Sequence, residues 1–515
     1  MTDDSLRSGF LRSAAAMPGA IALSLRGREF SYAELERTAR RWAAALIQLV
    51  GEPPKRVAIF GARSEVSYAG ALAALCSGAT FVPLNPKFPA SRTREMLRLS
   101  DVDALVADAH ARPQLKEICA GLEKPPRLLV PDDAVAVAPL DALPPVTGAD
   151  IAYLLFTSGS TGTPKGVPVT HSNVRHFIDV VTRRYTITPA DRFSQTFDQT
   201  FDLSMFDLFV AWQSAARVCV PEPIDLVAPT AFIRKHQLTV WFSVPSIVTL
   251  MRRKGLLTAN SLPTLRWSLF CGEALAQTSA EAWQDAALNS TVENLYGPTE
   301  LTIACLAHRW DARKSPGLCE NGIVAIGRPF EGLDAAILDD ALEPVGTGDA
   351  GELCVSGPQT VPGYWRDPAR TQERFVQPPH VGAARGCFYR TGDRVRQTSG
   401  GEFVYLGRVD DQIKVRGYRV EPGDIEAVLR TDTRVADAVV VGWPEESGSA
   451  LGIVAFVCGG QVDVAALRRV AESRLPDYMR PAEFVLVEDF PLNANGKVDR
   501  KALRQRLGAR SPIGS

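Results

Sequence analysis

Residues 154–167 read LLFTSGSTGTPKGV. The apolar run Ala152–Phe156 entering this stretch predicts a buried strand, and Gly159 and Gly162 free the backbone for a sharp turn out of the sheet. Five hydroxyl residues and one lysine follow one another through the turn, so backbone N–H groups, hydroxyls and a positive charge converge as phosphate requires. A nucleoside-triphosphate P-loop needs G-x-x-x-x-G-K-[ST]. Here Lys165 lies between Pro164 and Gly166, so that motif is not met.

Outward from this loop, apolar strand-like runs alternate with helical patterns. RVAIFG from Arg56, TFVPLNP from Thr80, DALVAD from Asp103, RVCVPE from Arg217 and TVWFSVPS from Thr239 sit between stretches of helical spacing such as SYAELERTARRWAAALIQLV from Ser31. This alternation predicts an α/β chain with largely parallel sheets. The Pro- and Ala-rich PDDAVAVAPLDALPPV from Pro131 reads as a surface connector, and no internal repeat is visible. After about Asp410 the elements shorten: IEAVLR and VAALRRVAESRL read as helices, ADAVVVGW, GIVAFVCGG and EFVLVEDF as strands. The expected organisation is a large N-terminal core of parallel and mixed sheets with helices over residues 1–409, and a small mobile α+β domain over 410–515.

Composition narrows the partners. With 57 basic and 58 acidic residues there is no overall field to favour nucleic acid or an anionic membrane. Nine cysteines without a C-x-x-C pair make neither a disulfide framework nor a zinc ligand set, which fits a reducing cytoplasm. The N-terminal MTDDSLRSGF is acidic where a signal peptide would be basic, and no run of about 18 apolar residues is present. Small molecules and proteins are the expected partners.

Seven further motifs follow or precede the opening loop in a fixed order: FSYAEL from Phe30, FVPLNPKFP from Phe81, NLYGPTE from Asn294, GELCVSG from Gly351, YRTGD from Tyr389, GRVDDQIKVRGYRVEPGDIE from Gly407 and NANGKVDRKAL from Asn493. With the loop, this set resembles the adenylate-forming enzymes: acyl-CoA synthetases, luciferases and the adenylation domains of nonribosomal peptide synthetases. The resemblance covers nearly the whole chain and implies an ATP- and Mg²⁺-dependent ligase that makes an acyl-AMP and then a thioester.

It also implies roles. Thr157, Ser158, Gly159, Ser160, Thr161, Gly162 and Lys165 would cradle the β- and γ-phosphates of ATP. Tyr296 would stack on adenine beside Leu295 and Gly297, Asn294 would bond the adenine amino edge, Thr299 would reach the α-phosphate, and Glu300 would hold Mg²⁺, a hard cation that takes oxygen ligands. Asp393 and Arg408 would bind the ribose hydroxyls, with Tyr405 alongside. Lys497 would bridge the substrate carboxylate and the α-phosphate, because two anions approaching in line need a fixed positive charge; Lys497, Glu300 and Thr157 form the catalytic set.

The stretch TFDQTFDLSMFDLF from Thr196 contains three Phe-Asp pairs, and matching FDLS to the family pattern puts Asp202 opposite an α-ammonium. Activators of fatty and aryl acids lack that carboxylate, so the acid should be an amino acid. The same register places Leu203, Phe206, Phe242, Leu269, Cys271, Gly272, Leu295, Ile303 and Ala304 around the side chain, with Lys497 at the carboxylate. Apart from Asp202 and Lys497 none is charged, so a small, apolar cavity is expected and charged substrates are disfavoured. VWFSVPS, LFCGEAL and LYGPTE resemble D-alanine–carrier-protein ligases, whereas the pocket series resembles stand-alone L-proline–carrier-protein ligases of secondary-metabolite pathways. Proline is the first expectation; alanine, cysteine or serine follow. Cys271 is read as a pocket wall, not a nucleophile.

The chain ends at RSPIGS soon after the Lys497 motif, so the expected second substrate is the phosphopantetheine thiol of a free-standing peptidyl or acyl carrier protein. By resemblance, the small domain swings about Asp410 between half-reactions, turning the Gly417 region toward the thiol. Two other readings remain: a coenzyme A-dependent activator of a non-amino acid, and a noncatalytic binding module on the same fold.

Overall fold

A computed structural model describes residues 4–134, 136–158, 163–379, 386–446, 449–491 and 498–509. Two compact units emerge, one of residues 1–86, 96–156 and 166–409, the other of residues 87–95, 157–165 and 410–515.

In the first unit, helix α1 (Ser8–Ala16) leads into the hairpin β1 (Ile21–Leu25) and β2 (Arg28–Ser31), then helix α2 (Tyr32–Val50). The start of α2 follows from its sequence: Ser31 Oγ accepts from the Glu34 N–H, and Glu34 accepts from the Ser31 N–H at 2.8 Å, closing a capping box. Gly51, at φ 94°, ends the helix in the left-handed conformation that glycine tolerates.

A six-stranded sheet then forms from β3 (Arg56–Phe60), β4 (Thr80–Leu84), β5 (Ala104–Ala107), β6 (Arg127–Leu129), β7 (Ile151–Thr157) and β8 (Lys165–Thr170), in the order β6-β5-β3-β4-β7-β8. Helices α3 (Glu65–Cys76), α4 (Ala90–Ser100) and α5 (Arg112–Cys119) make its crossovers. The apolar runs read from the sequence form these strands because both faces are covered; β4 is buried at every residue.

After α6 (His171–Tyr185) comes a nine-stranded sheet. It contains β9 (Arg192–Ser194), β10 (Arg217–Cys219), β11 (Val240–Ser243), β12 (Trp267–Phe270), β13 (Thr291–Tyr296), β14 (Leu306–Arg309) and β15 (Arg328–Pro329), and ends on the hairpin: β15-β14-β13-β12-β11-β9-β10-β1-β2. Short helices α7 (Leu203–Met205) and α8 (Ala211–Gln213) lie between β9 and β10, then α9 (Pro229–His236), α10 (Pro245–Arg253) and α11 (Gln277–Ala286) alternate with the later strands.

The two sheets share a plan that the sequence did not reveal. In each, the first strand is central (β3, β9), the second pairs with it on one side (β4, β10), the third pairs on the other side (β5, β11), and the fourth extends that side (β6, β12), all parallel. The chain therefore leaves β3 and β5 in opposite directions, and likewise β9 and β11. Each sheet has a topological switch point, the place where α/β sheets open a crevice at the carboxyl ends of their strands.

A third, antiparallel sheet completes this unit: β16 (Asp334–Leu338), β17 (Ala350–Ser356), β18 (Phe375–Val376), β19 (Phe388–Gln397) and β20 (Phe403–Arg408), with helix α12 (Pro368–Arg374) before β18. One apolar core serves both large sheets, taking in Val57, Phe81, Val106 and Tyr153 from one and Phe193, Phe242 and Leu269 from the other. Fully burying side chains of this size contributes about 1.5–3 kcal/mol each.

The second unit has two small sheets. One is built of β21 (Ile413–Val415), β22 (Tyr418–Val420), β24 (Glu445–Glu446) and β25 (Ser449–Ala450), the other of β23 (Asp437–Gly442), β26 (Ile453–Cys458) and β27 (Glu483–Leu486). They pack with α13 (Pro422–Leu429), α14 (Val464–Arg474) and α15 (Arg500–Ala509). The fold class is thus mixed α/β with a large N-terminal unit and a smaller α+β one. Among the described residues no helix is long and apolar enough to cross a membrane.

Candidate active site

At the switch point of the nine-stranded sheet, the carboxyl ends of β9, β11, β12 and β13 deliver most of the predicted substrate residues. Beyond β9 the chain reaches Asp202, at the N-cap position of α7 but with no side-chain capping bond; the helix continues as a π turn, Phe206–Val210, a geometry frequent at functional sites. The three Phe-Asp pairs differ in what they touch. Asp198 closes a local turn, accepting from Thr200 N–H at 3.0 Å and Asn85 Nδ2 at 2.8 Å. Asp207 is wholly buried, and burial raises its carboxyl well above the usual range. Asp202 accepts from the Ile303 N–H at 3.0 Å and is 6% exposed.

Burial pushes the Asp202 carboxyl up to about 6, against the Ile303 N–H that holds it down; the neighbouring Glu300 charge raises it further and the Thr299 hydroxyl lowers it. No Lys, Arg or His among the described residues pairs with Asp202. Leu203, Phe206, Phe242, Leu269, Cys271, Leu295, Ile303 and Ala304 all belong to the one core cluster around it. Phe242 is wedged between two rings, with centroids 4.9 Å from Phe206 and 4.8 Å from Phe197. Gly272 follows Cys271 at φ 91°.

The donor to Asp202 sits in a strained turn. Thr302 and Ile303 take φ of 58° and 73°, and for a β-branched residue such a conformation costs of order 1–3 kcal/mol. Gln359, wholly buried, clamps it: its Nε2 donates to the carbonyls of Leu301 (3.1 Å), Thr302 (3.3 Å) and Ala304 (2.7 Å), and its backbone carbonyl accepts from Thr302 Oγ1 at 2.6 Å. The return strand passes so close that a Cβ on Gly297 would lie 2.5 Å from Ala304 Cα, so only glycine fits. Sequence reasoning missed Gln359. Its one signal is an amide inside GPQTVPGYW, a stretch that otherwise offers little to hydrogen-bond.

The residues expected at the nucleotide also gather. Tyr296 OH donates to Asp393, whose other oxygen accepts from Arg408 Nη1 at 2.9 Å; Asp393 and Arg408 are register partners across β19 and β20. Asn294 Nδ2 donates to the Ala325 carbonyl at 2.9 Å, while its Oδ1 is buried without a partner, an acceptor left over for an amino group. Tyr405 packs at the edge of the core cluster. Glu300 is wholly buried and accepts from Tyr364 OH at 2.7 Å, a second residue missed from sequence.

In the second unit, Thr157 Oγ1 is buried without a partner, Ser158 Oγ donates to the Arg419 carbonyl at 2.8 Å, and Lys165 is buried. Gly417 lies in the tight turn between β21 and β22 at φ 85°, and Asp410 accepts from Gln412 N–H at 3.2 Å. Gly159, Ser160, Thr161, Gly162 and Lys497 lie outside the described residues.

These atoms can be tested against the groups they are expected to hold. The orphaned Asn294 Oδ1 and Thr157 Oγ1 suit an adenine amino group and a hydrogen-bonded phosphate. No cluster of three metal-ligating side chains occurs among the described residues, and Glu300 has the Asp202 carboxylate for a neighbour. That donor set fits Mg²⁺ arriving with a nucleotide, which characteristically takes one or two carboxylates plus phosphate oxygens.

Comparison with known proteins places the chain among relatives. A family model described as AMP-binding enzyme matches residues 10–365, and one described as AMP-binding enzyme C-terminal domain matches residues 424–497. The chain is 33% identical to the L-proline--[L-prolyl-carrier protein] ligase of Pseudomonas fluorescens, over 98% of this chain and 99% of that protein. Malpinin synthetase of Mortierella alpina is 33% identical over 94% of this chain but 6% of its own length. Such long synthetases are spanned by this chain over only 6 to 21% of their length. The crystal structure of the Vibrio cholerae adenylation domain AlmE, in complex with glycyl-adenosine-5'-phosphate, superposes with a TM-score of 0.86 at 33% identity, covering 98% of each chain.

Proposed function

Since the chain belongs to the AMP-binding enzyme family, we propose that it is an amino acid–carrier-protein ligase. It would join a small neutral amino acid to AMP with release of pyrophosphate, then pass it to the phosphopantetheine thiol of a carrier protein. The observation that carries this reading is Asp202, a buried carboxylate in an apolar pocket with no cation against it among the described residues. An α-ammonium supplies the missing charge, and a fatty or aryl acid would leave the carboxylate uncompensated.

Residues 1–409 would carry ATP and amino-acid binding and residues 410–515 the lid, hinged at Asp410. Asn294 Oδ1 would accept from the adenine amino group, Tyr296 would stack on the ring, and Asp393, released from Tyr296 or Arg408, would accept from the ribose. Glu300 would hold Mg²⁺, whose charge offsets that of the phosphates. Thr157, the loop after it and Lys165 would bind the outer phosphates. Lys497 would steady the substrate carboxylate as it attacks the α-phosphorus, and no side-chain nucleophile is needed.

L-proline is the first candidate, on the whole-length likeness to a prolyl ligase. That likeness also supports a carrier on a separate polypeptide. A second reading, alanine, cysteine or serine, is favoured by the packing of Phe206 and Phe197 on Phe242, which fills volume in the apolar cluster beside Asp202. A scan of ATP–pyrophosphate exchange over the common amino acids and short fatty acids tests the proposal. Exchange driven by proline or another small neutral amino acid is the expected result; exchange driven only by acids lacking an α-amine overturns it.

A further inference from the structure

If the nine-stranded sheet uses its switch point, the six-stranded sheet has an equivalent place. It too is open. A cleft of about 560 Å³ lies at the carboxyl ends of β3, β5 and β6, reached by Ser64 and Glu65 at the start of α3, by Asp108 after β5 and by Val130 after β6. Its volume is that of a small-molecule site. The β1–β2 turn and helix α2 form the outer wall.

Three guanidinium groups, those of Arg26, Arg28 and Arg41, stand on this wall. The turn puts Arg26 at φ 49° and Gly27 at φ 76°, so the hairpin reverses in two residues and holds Arg26 and Arg28 over the cleft. Arg28 is satisfied, 3.2 Å from Glu65 and stacked 4.1 Å over the Phe30 ring. Arg26 makes no hydrogen bond or close ion pair among the described residues and acts on Asp108 only through space, while Arg41 Nε, from α2, is buried without an acceptor. The acidic groups on the described lining are Glu65, taken by Arg28, and Asp108, which accepts from Ser64 Oγ at 2.7 Å and is raised by burial against the opposing pull of Ser64, the Ala62 N–H and the Arg26 and His110 charges. Beneath the guanidinium groups lie the buried side chains of Phe30, Trp42 and Val66. Two guanidinium groups without a hydrogen-bonded acceptor among the described residues, over an apolar floor, are chemically complementary to an organic oxyanion: the forks take the charged oxygens and the floor takes the carbon body.

We propose that this cleft, at the switch point of the six-stranded sheet, is a second ligand site that binds a small organic anion, phosphate or carboxylate, through Arg26 and Arg41. It is built wholly within residues 25–131 and shares no lining residue with the candidate active site.

The test is equilibrium dialysis of the full chain with labelled phosphate and labelled citrate, with a non-hydrolysable ATP analogue saturating the candidate active site. One bound anion per chain is expected to persist under the analogue. Its affinity should fall at least tenfold in Arg41→Met and in Arg26→Ser, the latter an exposed turn residue that keeps the variant folded. ATP–pyrophosphate exchange should stay within about twofold of the unaltered protein in both, since neither residue belongs to the substrate or nucleotide machinery. Retention of phosphate alone identifies a phosphate ester as the ligand class, and retention of citrate alone a polycarboxylate. Loss of all anion binding once the analogue is present, or undiminished binding in both variants, overturns the proposal.

Discussion

Asp202→Asn should make the protein more stable and inactive, and the stabilisation should depend on pH. In the fold the Asp202 carboxyl titrates near 6 rather than at its ordinary 3.8. Because the folded value is the higher one, the protonated form is favoured by folding: Asp202 costs nothing below the unfolded value, and the penalty grows as pH rises, levelling off above the folded value. The difference of about two units, at 1.36 kcal/mol each, is about 3 kcal/mol at pH 8 and about half that at pH 5. An asparagine at this position can still accept the Ile303 N–H that is now 3.0 Å from Asp202, and it carries no charge to desolvate. The variant should therefore melt a few degrees higher than the unaltered protein at pH 8, with the gap shrinking toward pH 5. Amino-acid-dependent exchange should fall by about two to three orders of magnitude, the loss expected when one partner of a buried ion pair is removed. In the unaltered protein, kcat/KM for the amino acid should decline below about pH 6, where Asp202 is protonated. Equal stabilisation at both pH values, or exchange that survives the substitution, would refute the assignment of Asp202 as the ammonium-binding charge.

Gln359→Leu should raise KM for the amino acid by about ten- to a hundredfold and move the acid limb of kcat/KM to higher pH, because the turn that presents the Ile303 N–H loses its clamp; an unmoved limb would make Gln359 merely a packing residue. Phe206→Ala should cost about 3–5 kcal/mol in stability and shift exchange toward larger side chains, read out by the same amino-acid scan. Lys497→Ala should lower adenylate formation by about two to three orders of magnitude while thiolation of preformed aminoacyl-AMP stays within severalfold, and a matched fall in both half-reactions would remove it from the first step.

What could be read from the sequence is what is local. β3, β4 and β11 were visible as short apolar runs because their hydrophobicity is continuous, and α2 because Ser31 and Glu34 cap it within four residues. The common plan of the two large sheets was not visible, since strand order is set by crossovers that leave no periodic mark. The three Phe-Asp pairs carry nearly the same local pattern, so it took the family resemblance of FDLS to single out Asp202; the physical distinction, its contact with Ile303, lies 101 residues on. Gln359 was hidden for the same reason, as its three acceptors lie 55 to 58 residues earlier in the chain.

These non-local contacts have a common physical sense. The segment after β17 holds both buried carboxylates of the site: Gln359 fixes the turn that donates to Asp202, while the Val361 N–H donates to the Glu300 carbonyl at 3.0 Å and Tyr364 OH to its carboxylate. Burial and the neighbouring Glu300 charge both raise the proton affinity of Asp202, so its ionised form is electrostatically unfavourable in the fold. A positively charged ligand group relieves that cost, and a neutral one of the same shape does not. On the proposed reading, discrimination for an amine would come from what the fold leaves uncompensated more than from what it adds, and it should weaken at pH values where Asp202 has already taken up a proton.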